Sequence, residues 1–176
     1  NPRTLGAMPL DDRALAVLAG AVFPRTAGFN HIDYGDANET TLALYYVLMF
    51  IGGGSAGTAG GIKVGTVGII LATVAAELRG ESQVVVGSRA IPATVQRAAL
   101  AVVMLGSVTV ALATFFIVVD DRFTLQQVLF ETISAFGTVG LSTGITPHLR
   151  PESLVVLMLL MYLGRVGTVS VAAALA

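Results

Sequence analysis

The chain has 176 residues, of which 55% are hydrophobic and 12% charged, and its formal net charge is -1. Ordinary soluble domains carry about 25% charged residues, so this composition indicates a chain that lies largely in lipid. The near-neutral charge argues against a nucleic-acid partner, and the lack of cysteine excludes disulfides and thiolate metal sites. Because the sequence begins with Asn1 and ends within an apolar run at Ala176, we expect a portion of a longer membrane protein.

The first predicted element is a short helix with Asp11 and Asp12 in its first turn, where the helix dipole favours acidic residues. Its apolar part, residues 14–23, is far shorter than the roughly twenty residues needed to cross a bilayer. A glycine-bearing turn at residues 24–30 ends it. This pattern is typical of a re-entrant hairpin, with a short soluble helix and loop as the alternative. His31, in the acidic loop that follows, is expected to be solvated.

A glycine-rich loop interrupts the next predicted helix, residues 40–78. Each glycine lowers helix stability by roughly 1 kcal/mol relative to alanine, so the helix should break here. Both flanks are apolar, which places the loop at membrane depth, where irregular backbone is tolerated only if it lines a cavity or is covered by protein. The candidate gate or binding loop consists of Gly52, Gly53, Gly54, Ser55, Ala56, Gly57, Thr58, Ala59, Gly60, Gly61 and Lys63.

Two other interpretations of this loop are open. Gly52, Gly54 and Gly57 have the spacing of a dinucleotide-binding fingerprint, and Glu77 lies where a ribose-binding acid would be. A glycine-rich segment matches such patterns by chance. The second alternative is a flexible surface linker.

The middle of the chain predicts a membrane orientation and a membrane span. Arg79, Arg89 and Arg97 outnumber the nearby acids, which indicates the cytoplasmic side by the positive-inside rule. Residues 98–119 then carry no charge and match the length of about 20 apolar residues that a spanning helix needs.

The second part of the chain repeats the first. Thr124 and Gln127 have the spacing of a capping box, which starts a helix that runs to about Phe136 and is again too short to cross a membrane. A second glycine-bearing turn follows at residues 137–144, and a shift of about 112 residues places the first turn on it. Such a repeat predicts matching pieces that meet around an axis along the membrane normal.

The paired turns favour a cation. Both short helices would aim their C-terminal ends at the membrane centre, and those ends carry partial negative charge. Glycine lets each turn expose backbone carbonyls, and rings of carbonyls replace the water shell of potassium in channel filters built on Thr-Val-Gly-Tyr-Gly. Thr138, Val139 and Gly140 repeat the first three letters of that filter, whereas Leu141 departs from it.

Two charged residues lie in the predicted membrane segments of the second part. Arg165 interrupts the last helix, which starts at Pro151, and a buried arginine in a span costs at least about 2.5 kcal/mol. We expect it to bond the carbonyls of the glycine loop, or to act as a fixed positive charge that limits how long a cation dwells; the two roles are compatible. Glu131 is expected to support the second short helix. No hydrolytic or redox constellation is evident, so we predict no enzyme.

Together these motifs resemble those of the Trk/Ktr/HKT potassium transporters, in particular a KtrB/TrkH-like membrane subunit. Residues 52–63 resemble the intramembrane loop of that family's third repeat, residues 25–30 its third filter segment and residues 137–142 its fourth. Arg165 matches the arginine of the last repeat that faces the gate. The family pattern often has proline at the position of Ala56. This difference affects the expected rigidity of the loop and not the family resemblance. The resemblance covers nearly the whole chain.

The resemblance implies an all-α integral membrane fold of membrane–pore-helix–membrane repeats, with re-entrant pore loops and a broken transmembrane helix. Residues 1–91 would be the third repeat without its first helix, and residues 92–176 the fourth repeat. It also implies that potassium is coordinated by the backbone carbonyls of Thr26, Ala27, Gly28, Thr138, Val139 and Gly140.

By the same resemblance, the function is potassium uptake across the cell membrane by a multi-pass, pore-forming subunit, gated by the glycine loop and Arg165. The implied partners are membrane lipid, a second copy of the full-length subunit and a cytoplasmic nucleotide-binding regulatory ring of the KtrA/TrkA kind. Several members of the family depend on sodium. The alternatives from other classes are a secondary transporter of another solute with a discontinuous helix, and a piece of a dinucleotide-binding oxidoreductase.

Overall fold

The structure is a computed structural model that describes residues 6, 9–30, 32–54, 59–81, 83–120 and 122–167. Within these ranges the chain forms six α-helices and one short β-ribbon. The helices are α1 (Leu10–Val22), α2 (Glu39–Phe50), α3 (Val64–Arg79), α4 (Ala93–Asp120), α5 (Leu125–Gly137) and α6 (Pro151–Val166). A single 3-10 turn, Thr146–His148, precedes α6.

The helices predicted from the sequence are confirmed, including the break between α2 and α3. Of the described helices, α4 is the one long and apolar enough to cross a membrane, by length and composition alone. The expected all-α class needs one addition, because β1 (Val85–Val86) and β2 (Arg89–Ala90) pair as an antiparallel ribbon. The predicted continuation of the last helix beyond residue 167 lies outside the described residues.

The helix α5 begins at the predicted capping box. The hydroxyl of Thr124 accepts a hydrogen bond from the backbone N–H of Gln127 at 3.4 Å, and the side-chain oxygen of Gln127 accepts one from the N–H of Thr124 at 3.2 Å. These two bonds satisfy donors that the first turn of a helix leaves unpaired. The start of this short helix is therefore fixed by its own sequence.

The core of the described chain is built around α5. Nine of its 13 residues are buried, and a helix that is buried on nearly all sides lies at the centre of its packing partners. The rings of Tyr46 and Phe50 in α2 lie 6.1 Å and 5.9 Å from those of Phe130 and Phe136. The buried residues of α5 are Val128, Phe130, Glu131, Thr132, Ile133, Ser134, Ala135, Phe136 and Gly137.

A buried tyrosine fixes the loop between the first turn and α2. Tyr34 is fully buried, and its ring lies 5.1 Å from that of Tyr45 and 5.4 Å from that of Phe130. Burial raises the pKa of the Tyr34 hydroxyl above its ordinary value, and a hydrogen bond with Tyr45 adds to the rise. The hydroxyl is therefore neutral, and it packs this loop against α5 without placing a charge in the core.

The helices α5 and α6 approach each other through a glycine. A Cβ atom added at Gly164 would lie 1.8 Å from the carbonyl oxygen of Phe136. The neighbouring atom belongs to the backbone of a buried helix, so it cannot move aside as a flexible side chain would. The close contact between the end of α5 and α6 therefore requires glycine at this position.

We expect Gly164→Ala to destabilise the full-length protein, because the added methyl group overlaps the backbone of α5. Overpacking of this kind costs about 1–3 kcal/mol and outweighs the gain of roughly 1 kcal/mol in helix propensity. The matched control is Gly68→Ala in α3, where a Cβ atom would meet nothing within 4 Å. Thermal unfolding in detergent should show a fall of several degrees for the first variant alone, and equal melting temperatures would contradict the close packing.

Candidate cation site and gate

The structure brings the two predicted turns together. A Cβ atom added at Gly28 would lie 2.4 Å from the carbonyl oxygen of Val139, and one added at Gly140 would lie 3.4 Å from the Cα atom of Gly28. These distances leave no room for a side chain on Gly28. Two turns far apart in sequence therefore meet backbone to backbone.

Both turns have the same unusual backbone. Thr26 and Thr138 have φ angles of +73° and +50°, and among the described residues they are the two non-glycine residues with positive φ. Gly28 and Gly140, two residues further on, have φ angles of +73° and +89°. A left-handed conformation costs a residue with a Cβ atom roughly 1–2 kcal/mol, and such strain persists where the surrounding structure enforces it.

The helix ends direct the N–H groups of the turns. The N–H of Gly28 donates to the carbonyl of Phe23 at 3.3 Å, and the N–H of Val139 donates to the carbonyl of Ser134 at 2.9 Å. These N–H groups therefore bond back into the ends of α1 and α5.

A side chain joins the two residues that lie two positions after Gly28 and Gly140. The side-chain nitrogen of Asn30 donates to the carbonyl of Ser142 at 3.2 Å, and the side-chain oxygen of Asn30 accepts from the N–H of Ser142 at 3.4 Å. None of the motifs in the sequence predicts this pair. The repeat contains a signal for it, because the two residues are 112 positions apart and so occupy equivalent places.

Glu131 anchors residues 142–146, the part of the chain after Gly140 that we call the loop that follows the second turn. Its side chain is 5% exposed and accepts four hydrogen bonds from that loop. This placement agrees with its expected supporting role, although the bonds run to the loop rather than within the helix. A cavity of about 360 Å³ lies beside the same turn, and among its lining residues are Glu131, Ser134, Thr138, Gly140, Thr146 and Met161.

The glycine loop is closed at its base. Ile51 and Ile62 form an isolated parallel bridge, in which the N–H of Gly52 donates to the carbonyl of Ile62 at 2.8 Å. A Cβ atom added at Gly52 would lie 2.1 Å from the carbonyl oxygen of Gly60. The two arms of the loop therefore run side by side. Its tip, Ser55, Ala56, Gly57 and Thr58, lies outside the described residues.

The returning arm of the loop packs directly on the second turn. The N–H of Gly60 donates to the hydroxyl of Thr138 at 3.1 Å, and the N–H of Gly61 donates to the carbonyl of Gly164 at 3.1 Å. A Cβ atom added at Gly61 would lie 3.2 Å from the Cα atom of Gly137. One residue, Thr138, thus belongs to the turn and also holds the loop.

The two basic residues assigned to the gate lie at different places. The ammonium group of Lys63 donates to the carbonyl of Ala59, so it joins the two ends of the returning arm. Arg165 is an exposed residue in the last turn of α6, directly after Gly164, whose carbonyl holds the loop. His31, assigned to the outer loop, lies outside the described residues.

These features define a helical protein with a membrane-length helix, α4, two short helices, α1 and α5, that end in facing turns, and a loop between α2 and α3. The family model TrkH, described as cation transport protein, matches residues 3–176. The chain belongs to this family, and the resemblance found in the sequence is confirmed.

Two relatives share the same name. The chain is 42% identical over 167 residues to Ktr system potassium uptake protein B of Bacillus subtilis (strain 168), which covers 95% of this chain and 38% of that protein. It is 34% identical over 176 residues to the protein of that name from Vibrio alginolyticus, covering 100% of this chain and 39% of that protein. The potassium/sodium uptake protein NtpJ of Enterococcus hirae is 39% identical over 158 residues, or 86% of this chain and 34% of that protein.

The fold is that of a solved transporter. The crystal structure of the potassium transporter TrkH from Vibrio parahaemolyticus matches with a TM-score of 0.81 and 19% sequence identity, over 97% of this chain and 38% of that chain. The chain spans less than two fifths of the length of these relatives. The relatives are named for ion uptake, in agreement with the prediction that the chain is not an enzyme.

Proposed function

We propose that the chain is the C-terminal portion of the pore-forming subunit of a potassium-uptake transporter, a multi-pass protein of the cell membrane. The observation that carries this proposal is the backbone contact between Gly28 and the turn of Gly140. Two carbonyl-rich turns that meet at the ends of short helices offer a cation both ligands and a favourable electrostatic field.

The proposed ion ligands are the backbone carbonyls of the two turns. Main-chain carbonyls suit potassium because they replace its water shell without a full negative charge that would hold the ion too tightly. In this scheme residues 1–91 form a third repeat and residues 92–176 a fourth, and two further repeats in the full-length protein complete the ring around the ion. The proposed ligands are the carbonyls of Thr26, Ala27, Gly28, Thr138, Val139 and Gly140.

The proposed gate is the glycine loop between α2 and α3. Support comes from the two hydrogen bonds of its returning arm, from Gly60 to Thr138 of the second turn and from Gly61 to Gly164 of α6. Both bonds must break if the loop moves away from the second turn. Lys63 would hold the returning arm in shape, and the positive charge of Arg165 near the loop would limit how long a cation dwells there.

The partners and the coupling ion are also proposals. We infer that the full-length subunit forms a homodimer in lipid and binds a cytoplasmic nucleotide-binding regulatory ring of the KtrA/TrkA kind. Sodium is the proposed second ion, since one relative is named a potassium/sodium uptake protein. The alternative is a secondary transporter of another solute with a discontinuous helix.

We expect the full-length protein to restore growth at low potassium in a bacterium without its own potassium-uptake systems, and Gly140→Ser to weaken selectivity for potassium over sodium. A serine at Gly140 is strained by the φ angle of +89°, and its Cβ atom would lie in van der Waals contact with the Cα atom of Gly28, so relief of this strain moves the backbone where the two turns meet. The measurement is competition of sodium with rubidium uptake. Gly80→Ser at the end of α3 is the matched control, because that glycine also has a positive φ angle, +68°, but a Cβ atom there meets nothing within 4 Å.

Failure of the wild-type protein to support growth at low potassium would favour the transporter of another solute. Growth together with equal selectivity in the wild type and the Gly140→Ser variant would contradict the assignment of the ion ligands.

We also expect deletion of residues 54–60 to raise ion flux, if the loop blocks the path. The chain can close over the deletion because Gly52 is already bonded to Ile62 across the base of the loop. Initial rates of rubidium uptake into proteoliposomes test this. Size-exclusion chromatography in detergent is the control for folding. An equal or lower rate in a folded variant would indicate that the loop is a scaffold and not a gate.

A further inference from the structure

We propose that Glu131 is a positioning residue that holds both turns in register and thereby sets the selectivity of the site. The proposal rests on the function proposed above. In this proposal Glu131 acts through the loop that follows the second turn and, through that loop, on the first turn.

The bonds of Glu131 account for both of its side-chain oxygens. One oxygen accepts from the hydroxyl of Ser142 at 2.7 Å and from the N–H and the hydroxyl of Thr143 at 2.8 Å and 3.0 Å. The other accepts from the hydroxyl of Thr146 at 2.8 Å. A carboxylate accepts several hydrogen bonds at once, and bonds to a charged acceptor are stronger than neutral ones. One buried side chain therefore fixes three residues of the loop.

The same loop carries the support on to the first turn. Ser142, which donates to Glu131, also exchanges two hydrogen bonds with the side chain of Asn30 through its own backbone N–H and carbonyl. A chain of hydrogen bonds thus runs from α5 through Ser142 to the residue two positions after Gly28. Displacement of Ser142 would displace Asn30 with it.

The first turn has no carboxylate in the place of Glu131. The repeat shift places Ala19, an alanine of α1, at the position equivalent to Glu131, and Tyr34 at the position equivalent to Thr146. The helix α1, which is described throughout, has no buried residue. The two turns are therefore alike in backbone but unequal in support, and the carboxylate of the second serves both.

Selectivity depends on this support because potassium and sodium differ in size. Carbonyls held at a fixed separation match the larger ion, whereas carbonyls free to move inward also accommodate the smaller one. Loss of the carboxylate frees the loop beyond the second turn and weakens the hold on Asn30. The expected result is a site that accepts sodium more readily, with the path for ions still open.

The test compares Glu131→Ala, Glu131→Gln and Asn30→Ala in the full-length protein. Glu131→Ala should lower the selectivity ratio, which is potassium uptake divided by sodium uptake, by about tenfold. This is the factor that corresponds to the loss of one hydrogen bond to a charged group. Glu131→Gln should lower it less, since the amide oxygen still accepts from Ser142 and Thr143. Asn30→Ala should change the ratio in the same direction. Glu152→Gln, at an exposed acid in the first turn of α6, is the control and should leave the ratio unchanged.

A merely structural role would reduce the amount of folded protein and lower the uptake of both ions equally, so the ratio is the deciding readout. An unchanged ratio in folded Glu131→Ala overturns the proposal. A wild-type protein that transports no potassium contradicts the proposed function instead. In that case the melting temperatures of the wild type and of Glu131→Ala, each measured in potassium and in sodium, decide the role of Glu131. If the two ions still stabilise Glu131→Ala to the different extents seen in the wild type, the proposal is overturned. If that difference between the ions is lost in Glu131→Ala, the proposal is supported.

Discussion

The contact between the two glycine-bearing turns is the constraint on which the rest of the described structure depends. The carbonyl of Val139 occupies the place that a side chain on Gly28 would take. This contact and the Asn30–Ser142 pair join the first turn to the second, and α1, which leads into the first turn, has no buried residue. The second turn, in contrast, follows α5, in which nine of 13 residues are buried.

The position of the glycine loop follows from the same arrangement. The loop rests on the end of α5 and on Gly164 of α6, where small residues let three backbones approach closely. The loop donates a hydrogen bond to the hydroxyl of Thr138, whose carbonyl is a proposed ion ligand. The proposed gate and the proposed ion site are therefore joined through one residue. Motion of the loop would therefore disturb the second turn, and this would link the state of the proposed gate to the geometry of the proposed ion site.

Much of this arrangement could be predicted from the sequence. The break between α2 and α3 follows from helix propensity, the start of α5 from its capping box, and the pairing of the turns from the repeat. Each of these signals is local, or is a comparison of the chain with itself. The family assignment rests on four motifs in one order, namely residues 25–30, residues 52–63, residues 137–142 and Arg165. The match to the TrkH model confirms this assignment.

Other features could not be predicted because they depend on how distant elements pack. The need for glycine at position 164 appears only when α6 lies against the carbonyl of Phe136. Likewise, the partners of Glu131 lie on a loop whose path a single sequence does not specify. The β-ribbon at residues 85–90 consists of two residues in each strand, which is too short for an alternating pattern to be recognised.

The most direct test of the account is the location of a bound ion in the full-length protein. Crystals grown with rubidium in place of potassium would reveal the ion by its anomalous scattering. The account predicts a peak between the two turns, within coordination distance of carbonyl oxygens from residues 26–28 and 138–140. A rubidium peak elsewhere along the path, with these carbonyls turned away from it, would contradict the account.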